Sequence, residues 1–154
     1  MLRLYPNAYG TAIDTWKNYN ENDIEIIKYI EENNIERVFY ENIKKANMSD
    51  RIIVFKGDSV NILIKLVEAK QRFDFIYVDG SHKCLDCYTD MVLAWHLLSK
   101  GGVLAVDDIL YGYNRVIAGD ILSYPLMAKY HFMEKFIGQY EVLSDSYRLF
   151  IQKL

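Results

Sequence analysis

Apolar positions in this chain follow two rhythms that alternate along it. Short continuous runs occur at residues 51–55 (Arg-Ile-Ile-Val-Phe), 73–78 (Phe-Asp-Phe-Ile-Tyr-Val) and 103–106 (Val-Leu-Ala-Val). Their length and their β-branched and aromatic content predict strands, and their near-continuous apolarity predicts strands covered on both faces. Thr11-Ala-Ile-Asp14 reads as a shorter strand tip. Between these runs the apolar residues recur at helical spacing. Residues 20–33 carry Ile24, Ile27 and Ile30 on one face, and residues 35–47 carry Val38, Phe39, Ile43 and Ala46. Residues 60–70 carry Ile62, Leu63, Leu66 and Val67, with Ser59 as the expected cap, and residues 83–98 form a further helix that Ser99-Lys-Gly-Gly102 is expected to end with a left-handed glycine.

Strand, helix, strand, helix, strand in this order predicts right-handed crossovers between parallel strands: a doubly wound, mostly parallel α/β sheet of Rossmann type with helices on both faces. Past Asp108 the rhythm changes. Residues 113–138 read as mostly helical with a break at Pro125, and residues 139–143 and 147–154 bracket Ser144-Asp145-Ser146 as a C-terminal antiparallel hairpin. No repeat, linker or low-complexity tract interrupts the pattern, so residues 1–154 are expected to form one domain.

Composition narrows the function classes. With 51% hydrophobic and 25% charged residues the chain should fold, which excludes disorder and a coiled coil. A net charge of −3 with scattered Lys and Arg offers no basic stripe for nucleic acid. No apolar run approaches the roughly 20 residues that cross a bilayer, and no signal-peptide pattern opens the chain, so a cytoplasmic protein without a membrane partner is expected. Cys84 and Cys87 have redox or half-zinc spacing, but no second pair completes a zinc site, and on a helix residues three apart simply share a face.

The informative residues are acids at strand ends. Asp14, Asp58, Asp79 and the pair Asp107-Asp108 each follow an apolar run. Ligands of open α/β sheets bind outside the carboxyl ends of the strands, where a carboxylate can accept both hydroxyls of a ribose. Asp14 and Asp58 suit that role. Asp79, Asp107 and Asp108 on neighbouring strands would converge and repel unless a cation neutralises them, and oxygen ligands favour Mg2+. Taken singly, each acid has the plainer reading of a helix or turn cap. His82 is a general base or a capping loop residue. His96 and His131 read as structural, and Arg72 and Lys100 as solvated charges.

Three stretches together resemble the class I S-adenosylmethionine-dependent methyltransferases, nearest their small-molecule O-methyltransferase and cephalosporin-hydroxylase-like branch. They are residues 51–59 (Arg-Ile-Ile-Val-Phe-Lys-Gly-Asp-Ser), 73–82 (Phe-Asp-Phe-Ile-Tyr-Val-Asp-Gly-Ser-His) and 97–108 (Leu-Leu-Ser-Lys-Gly-Gly-Val-Leu-Ala-Val-Asp-Asp). The resemblance implies a cofactor site in which Asp14 binds the ribose and Gly57, Asp58 and Ser59 border the adenine, with Asp79 beside them. It implies Mg2+ on Asp79, Asp107 and Asp108, with Asp79 and His82 as the catalytic pair acting on a small hydroxylated metabolite or a sugar. The family's first strand and Gly-rich loop have no counterpart before Thr11, because Pro6-Asn7 and Gly10 do not rebuild G-x-G-x-x-G. The chain therefore resembles a family member truncated at its N-terminus, whose sheet re-pairs or takes the strand from a partner chain or a second copy. Two other readings compete: an inactive relative kept as a binding or oligomerisation module, for which the tyrosine-rich helix around Tyr130 offers a surface, and a phospho-acceptor receiver domain, which lacks its lysine after a fifth strand.

Overall fold

The computed structural model describes residues 5–17, 24–117, 119–120 and 124–154. The chain resolves into two compact units, Met1–Ile62 and Leu63–Leu154, and the described strands make a two-stranded and a four-stranded sheet.

In the first unit, β1 (Gly10–Asp14) pairs in parallel with β2 (Ile52–Lys56), placing Asp14 opposite Lys56. Helices α1 (Ile24–Glu32) and α2 (Ile35–Lys45) connect them, followed by a single 3-10 turn, Ser49–Arg51. The Asn34 side chain accepts the Arg37 N–H at 2.9 Å and so caps α2, while Lys44 and Lys45 in its last turn complement the helix dipole. Arg51 donates to the carbonyls of Tyr5, Pro6 and Ala8, which ties the start of the described chain to β2. The helix expected from residue 20 is seen from Ile24, residues 20–23 lying outside the described part.

Helix α3 (Ser59–Glu68) leads into the second unit, where β3 (Phe73–Val78) is parallel to β4 (Leu98–Val106), and β6 (Leu149–Lys153) and β5 (Tyr140–Asp145) continue the sheet antiparallel. The order is β3-β4-β6-β5, so the terminal hairpin forms as expected, but Ser144 and Asp145 extend β5 and the turn falls at residues 146–148. The parallel pairs β1–β2 and β3–β4 with a C-terminal antiparallel hairpin are as expected, and the hairpin makes the four-stranded sheet mixed. One expectation changes: β3 is not covered on both faces, Val78 being buried while Tyr77 is 45% exposed, and among the described residues it has a strand neighbour on one side only. The fully covered strand is β4, whose Leu104, Ala105 and Val106 are all buried between β3 and β6.

Helix α4 (Cys84–Leu97) passes straight into β4, with Leu98 already extended, so no glycine caps it. The glycines act within the strand. Gly101, at φ +78, sits where the register shifts between the Phe73 and Phe75 pairings, a bulge that favours a residue without Cβ. Beyond β4 come α5 (Tyr113–Ile117) and α6 (Pro125–Lys135), so the helical stretch breaks before Pro125, which takes the first position of the second helix. The core joins α4 and α6 to β4 and β6: Trp95 meets Phe132 edge-on at 5.5 Å, and Phe132 meets Phe136 at 4.7 Å. Replacing Trp95 or Phe132 with Ala would cost about 3–5 kcal/mol. Buried Lys129 is paired with Asp145 at 2.6 and 2.7 Å, fixing α6 to β5. Lys153 donates to the carbonyls of Trp95 and Leu98 at the end of α4, and burial lowers its pKa. No helix among the described residues is long and apolar enough to cross a membrane.

Candidate active site

The first unit gathers Asp14, Gly57, Asp58 and Ser59 at one end of its sheet. Because β1 and β2 run parallel, both chains leave the sheet at the same edge, and the Gly57 N–H donates to the Asp14 carbonyl at 2.9 Å. Asp14 Oδ1 accepts the Trp16 N–H at 2.7 Å, a local turn in which Trp16 takes a left-handed φ of +57. Asp58, and not Ser59, caps α3: its Oδ1 accepts the Asn61 N–H at 3.1 Å, and Ser59 is already the first helical residue. The shorter reach of a serine hydroxyl loses here to a carboxylate one residue earlier, favoured also by the positive end of the helix. Trp16 packs on Phe39 at 4.9 Å, and its indole N–H is buried without a hydrogen-bond partner among the described residues.

The second unit gathers the other acids. The Asp107 N–H donates to the Val78 carbonyl at 2.9 Å, so the β3–β4 ladder carries on to the point where Asp79 and Asp107 leave the sheet. Asp79, His82 and Asp108 each present a ligand atom, and all lie within 4.8 Å of one another. His82 Nε2 is 3.0 Å from Asp108 Oδ2, and its ring lies against Tyr111 at 4.4 Å between centroids. Partial desolvation, then the charges of Asp107 and Asp108, raise the Asp79 pKa. Asp108 takes a left-handed φ of +52, a strained conformation that Asp tolerates better than most residues.

Asp79 and Asp108 of the expected trio come together with His82, and Asp107 makes further contacts of its own. The Asp107 side chain is only 9% exposed. Its Oδ1 accepts Arg148 Nε at 2.8 Å and the Asp108 N–H at 2.8 Å, and its Oδ2 accepts the Tyr77 hydroxyl. Desolvation pushes its pKa up, but these donors outweigh it and hold the carboxyl below its ordinary value. The same bond raises the Tyr77 pKa, and a hydroxyl bond to Asp108 raises that of Tyr147.

Tyr77, Tyr111, Tyr147 and Arg148 were not expected at the site. The signal for the last two lay in the hairpin: β6 runs antiparallel to β4, so Leu149 pairs with Val106 and the preceding turn must reach the carboxyl end of β4. Cys84 and Cys87 are buried free thiols. Burial pushes Cys87 up to about 12, so it is not an activated nucleophile. An open groove of 810 Å³ across α4 and α6, lined by Cys84, Leu85, Tyr88, His131, Glu134 and Lys135, holds none of the clustered acids. Side-chain chemistry, not concavity, thus marks the site.

The sequence and the fold are similar to known proteins. A family profile described as "Methyltransferase domain" matches residues 3–109. The chain is 36% identical over 70 residues to the "Probable caffeoyl-CoA O-methyltransferase 3" of Dictyostelium discoideum, covering 44% of this chain and 27% of that protein. It spans about a quarter of the length of the curated relatives it matches. The O-methyltransferase from Bacillus cereus in complex with SAH superposes with a TM-score of 0.64 at 15% identity, over 99% of this chain and 77% of the other. The MycE methyltransferase from the mycinamycin biosynthetic pathway, in complex with Mg and SAH, gives 0.58 at 14% identity, over 96% and 46% of the two chains. The chain belongs to the methyltransferase-domain family, on the Rossmann-like fold of the class I S-adenosylmethionine-dependent methyltransferases.

Proposed function

We propose that this protein transfers a methyl group from S-adenosylmethionine to a hydroxyl oxygen of a small metabolite or sugar, with a divalent cation at the carboxyl ends of β3 and β4. The observation that carries the reading is the meeting of Asp79, His82 and Asp108 within 4.8 Å, in a chain of the methyltransferase-domain family. Both units belong, on this reading, to one methyltransferase domain. The names of two structural neighbours, one bound to SAH and one to Mg and SAH, support the choice of cofactor and cation.

The residues fit those groups. Asp14 is an exposed carboxylate at a parallel strand tip, with Oδ1 engaged by a backbone N–H, and it can accept a ribose hydroxyl as well. Gly57, Asp58 and Ser59 form the neighbouring loop and helix start that would border the adenine. The Asp79 and Asp108 carboxylates offer oxygen donors suited to Mg2+ or Mn2+, with His82 beside them. Bound cofactor supplies an electrophilic methyl group, and a bound cation supplies positive charge that favours the ionised acceptor oxygen. Asp79 and Asp108 hold that charge in place. His82 takes the acceptor's proton through the ring nitrogen not turned toward Asp108, while the Asp108 contact and the Tyr111 ring fix its orientation.

The test is incubation of the purified chain with methyl-labelled S-adenosylmethionine, Mg2+ and a panel of catechols, sugars and other hydroxylated acceptors. Label should appear in an ether-linked methyl product, and chelation or Asp108→Asn should stop it. Transfer that persists undiminished after both would sink the metal-assisted reading.

A further inference from the structure

We infer that the open groove across α4 and α6 is a docking surface for a second copy of this chain, with Leu85 as the inserted side chain and Glu134 and Lys135 as the matching charges. The inference goes beyond the chemistry proposed above and does not depend on it. The groove, of 810 Å³, has two unlike walls. Leu85 and Tyr88, three residues apart on α4, form an apolar wall, and His131, Glu134 and Lys135 on α6 form a polar one. Its volume is that of a small-ligand pocket, but such pockets enclose most of their ligand. This groove is open, and Leu85 on its rim is 72% exposed.

A single exposed leucine is ordinary on a protein surface. Here it borders a groove on its own face, so one surface carries both a projecting apolar side chain and a place to receive one. A two-fold axis through such a face exchanges the two parts, and each contact is made twice. The charges obey the same symmetry. Glu134 and Lys135 are adjacent, exposed and opposite in sign. Lys135 rests over the Phe136 ring at 5.7 Å, and neither it nor Glu134 forms an ion pair among the described residues. A two-fold axis beside them sets Glu134 against Lys135 of the second copy, and the reverse, with no like charges opposed. Tyr130, 53% exposed and one turn before Glu134 on α6, extends the contact with a residue type that interfaces favour.

The experiment is analytical ultracentrifugation of the purified chain from about 1 to 100 μM, a range that resolves dimers of micromolar affinity. Wild type should pass reversibly from one copy to two. Leu85→Asp should weaken association about a hundredfold, as loss of a central apolar anchor does. Glu134→Lys and Lys135→Glu should each weaken it about tenfold by setting like charges together. An equimolar mixture of those two variants should regain wild-type association, since each then meets opposite charge. All three side chains are exposed, so the variants should fold, which circular dichroism checks. A wild type that stays monomeric throughout overturns the inference and leaves the groove to a partner of other chemistry. Association undiminished in Leu85→Asp places the contact on another surface and overturns it equally. So does a mixture of the charge variants that associates no better than either alone.

Discussion

The two strand-tip clusters use the same residue type in opposite ways. In the β1–β2 unit, Asp14 and Asp58 accept hydrogen bonds from backbone N–H groups two and three residues ahead, so each acid shapes its own turn or helix start. In the β3–β4 unit, Asp79, Asp107 and Asp108 meet charged and hydroxyl side chains brought by other elements, and the pKa values of Asp79 and Asp107 move in opposite directions. Local bonds prepare a rigid acceptor for binding, whereas coupled charges prepare chemistry. The contrast predicts that damage at one tip should spare the function of the other.

The largest effect is expected at Asp108. Asp108→Asn should lower methyl transfer by about two orders of magnitude while leaving S-adenosylmethionine affinity nearly unchanged, as calorimetry beside a turnover assay would reveal. Equal losses in both would erase the distinction between the tips. Next comes Asp14→Ala, expected to weaken cofactor binding by about tenfold, the scale of a lost hydrogen bond to a charged acceptor, without altering Mn2+ affinity.

A smaller effect concerns stability and its sign. The folded-state pKa of Asp107 lies below the ordinary carboxylate value, so its contribution is present above that value and is lost as pH falls through the folded pKa. Asp79 is raised, so its contribution is present below the ordinary value and is lost as pH rises through the folded pKa. At neutral pH, Asp107→Asn should therefore lower the melting temperature by about 3 °C and Asp79→Asn should raise it slightly. Shifts of the same sign in the two variants would show that the acids are not divided as described. The smallest expected signal is chemical: Cys84 and Cys87 should resist alkylation in the native protein and react on unfolding, and fast native labelling would restore a redox role for the pair.

Much of this was legible in the sequence because it depends on period and on short-range chemistry. The run at residues 73–78 gave β3 to the residue, the helical spacings gave α2 and α4 to within two residues, and the polar residues after 143 announced the hairpin. Strand tips place acids at sheet ends by topology alone, so Asp79 and Asp108 could be nominated together with His82. What stayed hidden depends on partners far along the chain. Asp107 and Asp108 look equivalent in sequence, and only an arginine 41 residues later separates them. The open side of β3 was signalled by the absent counterpart of the family's first strand, although apolar runs alone do not report how many neighbours a strand finds. The glycines after α4 were misread for a related reason: a left-handed residue serves a helix cap or a strand bulge equally well, and the pairing with β3 decides which.

The most direct test is calorimetric titration of the purified chain with S-adenosylmethionine, with and without Mg2+, for wild type and Asp14→Ala. The predicted result is saturable heat from wild type that weakens in Asp14→Ala. No measurable heat from wild type at about 1 mM cofactor, a concentration that detects even a ~−4 kcal/mol interaction, would contradict cofactor binding by this chain.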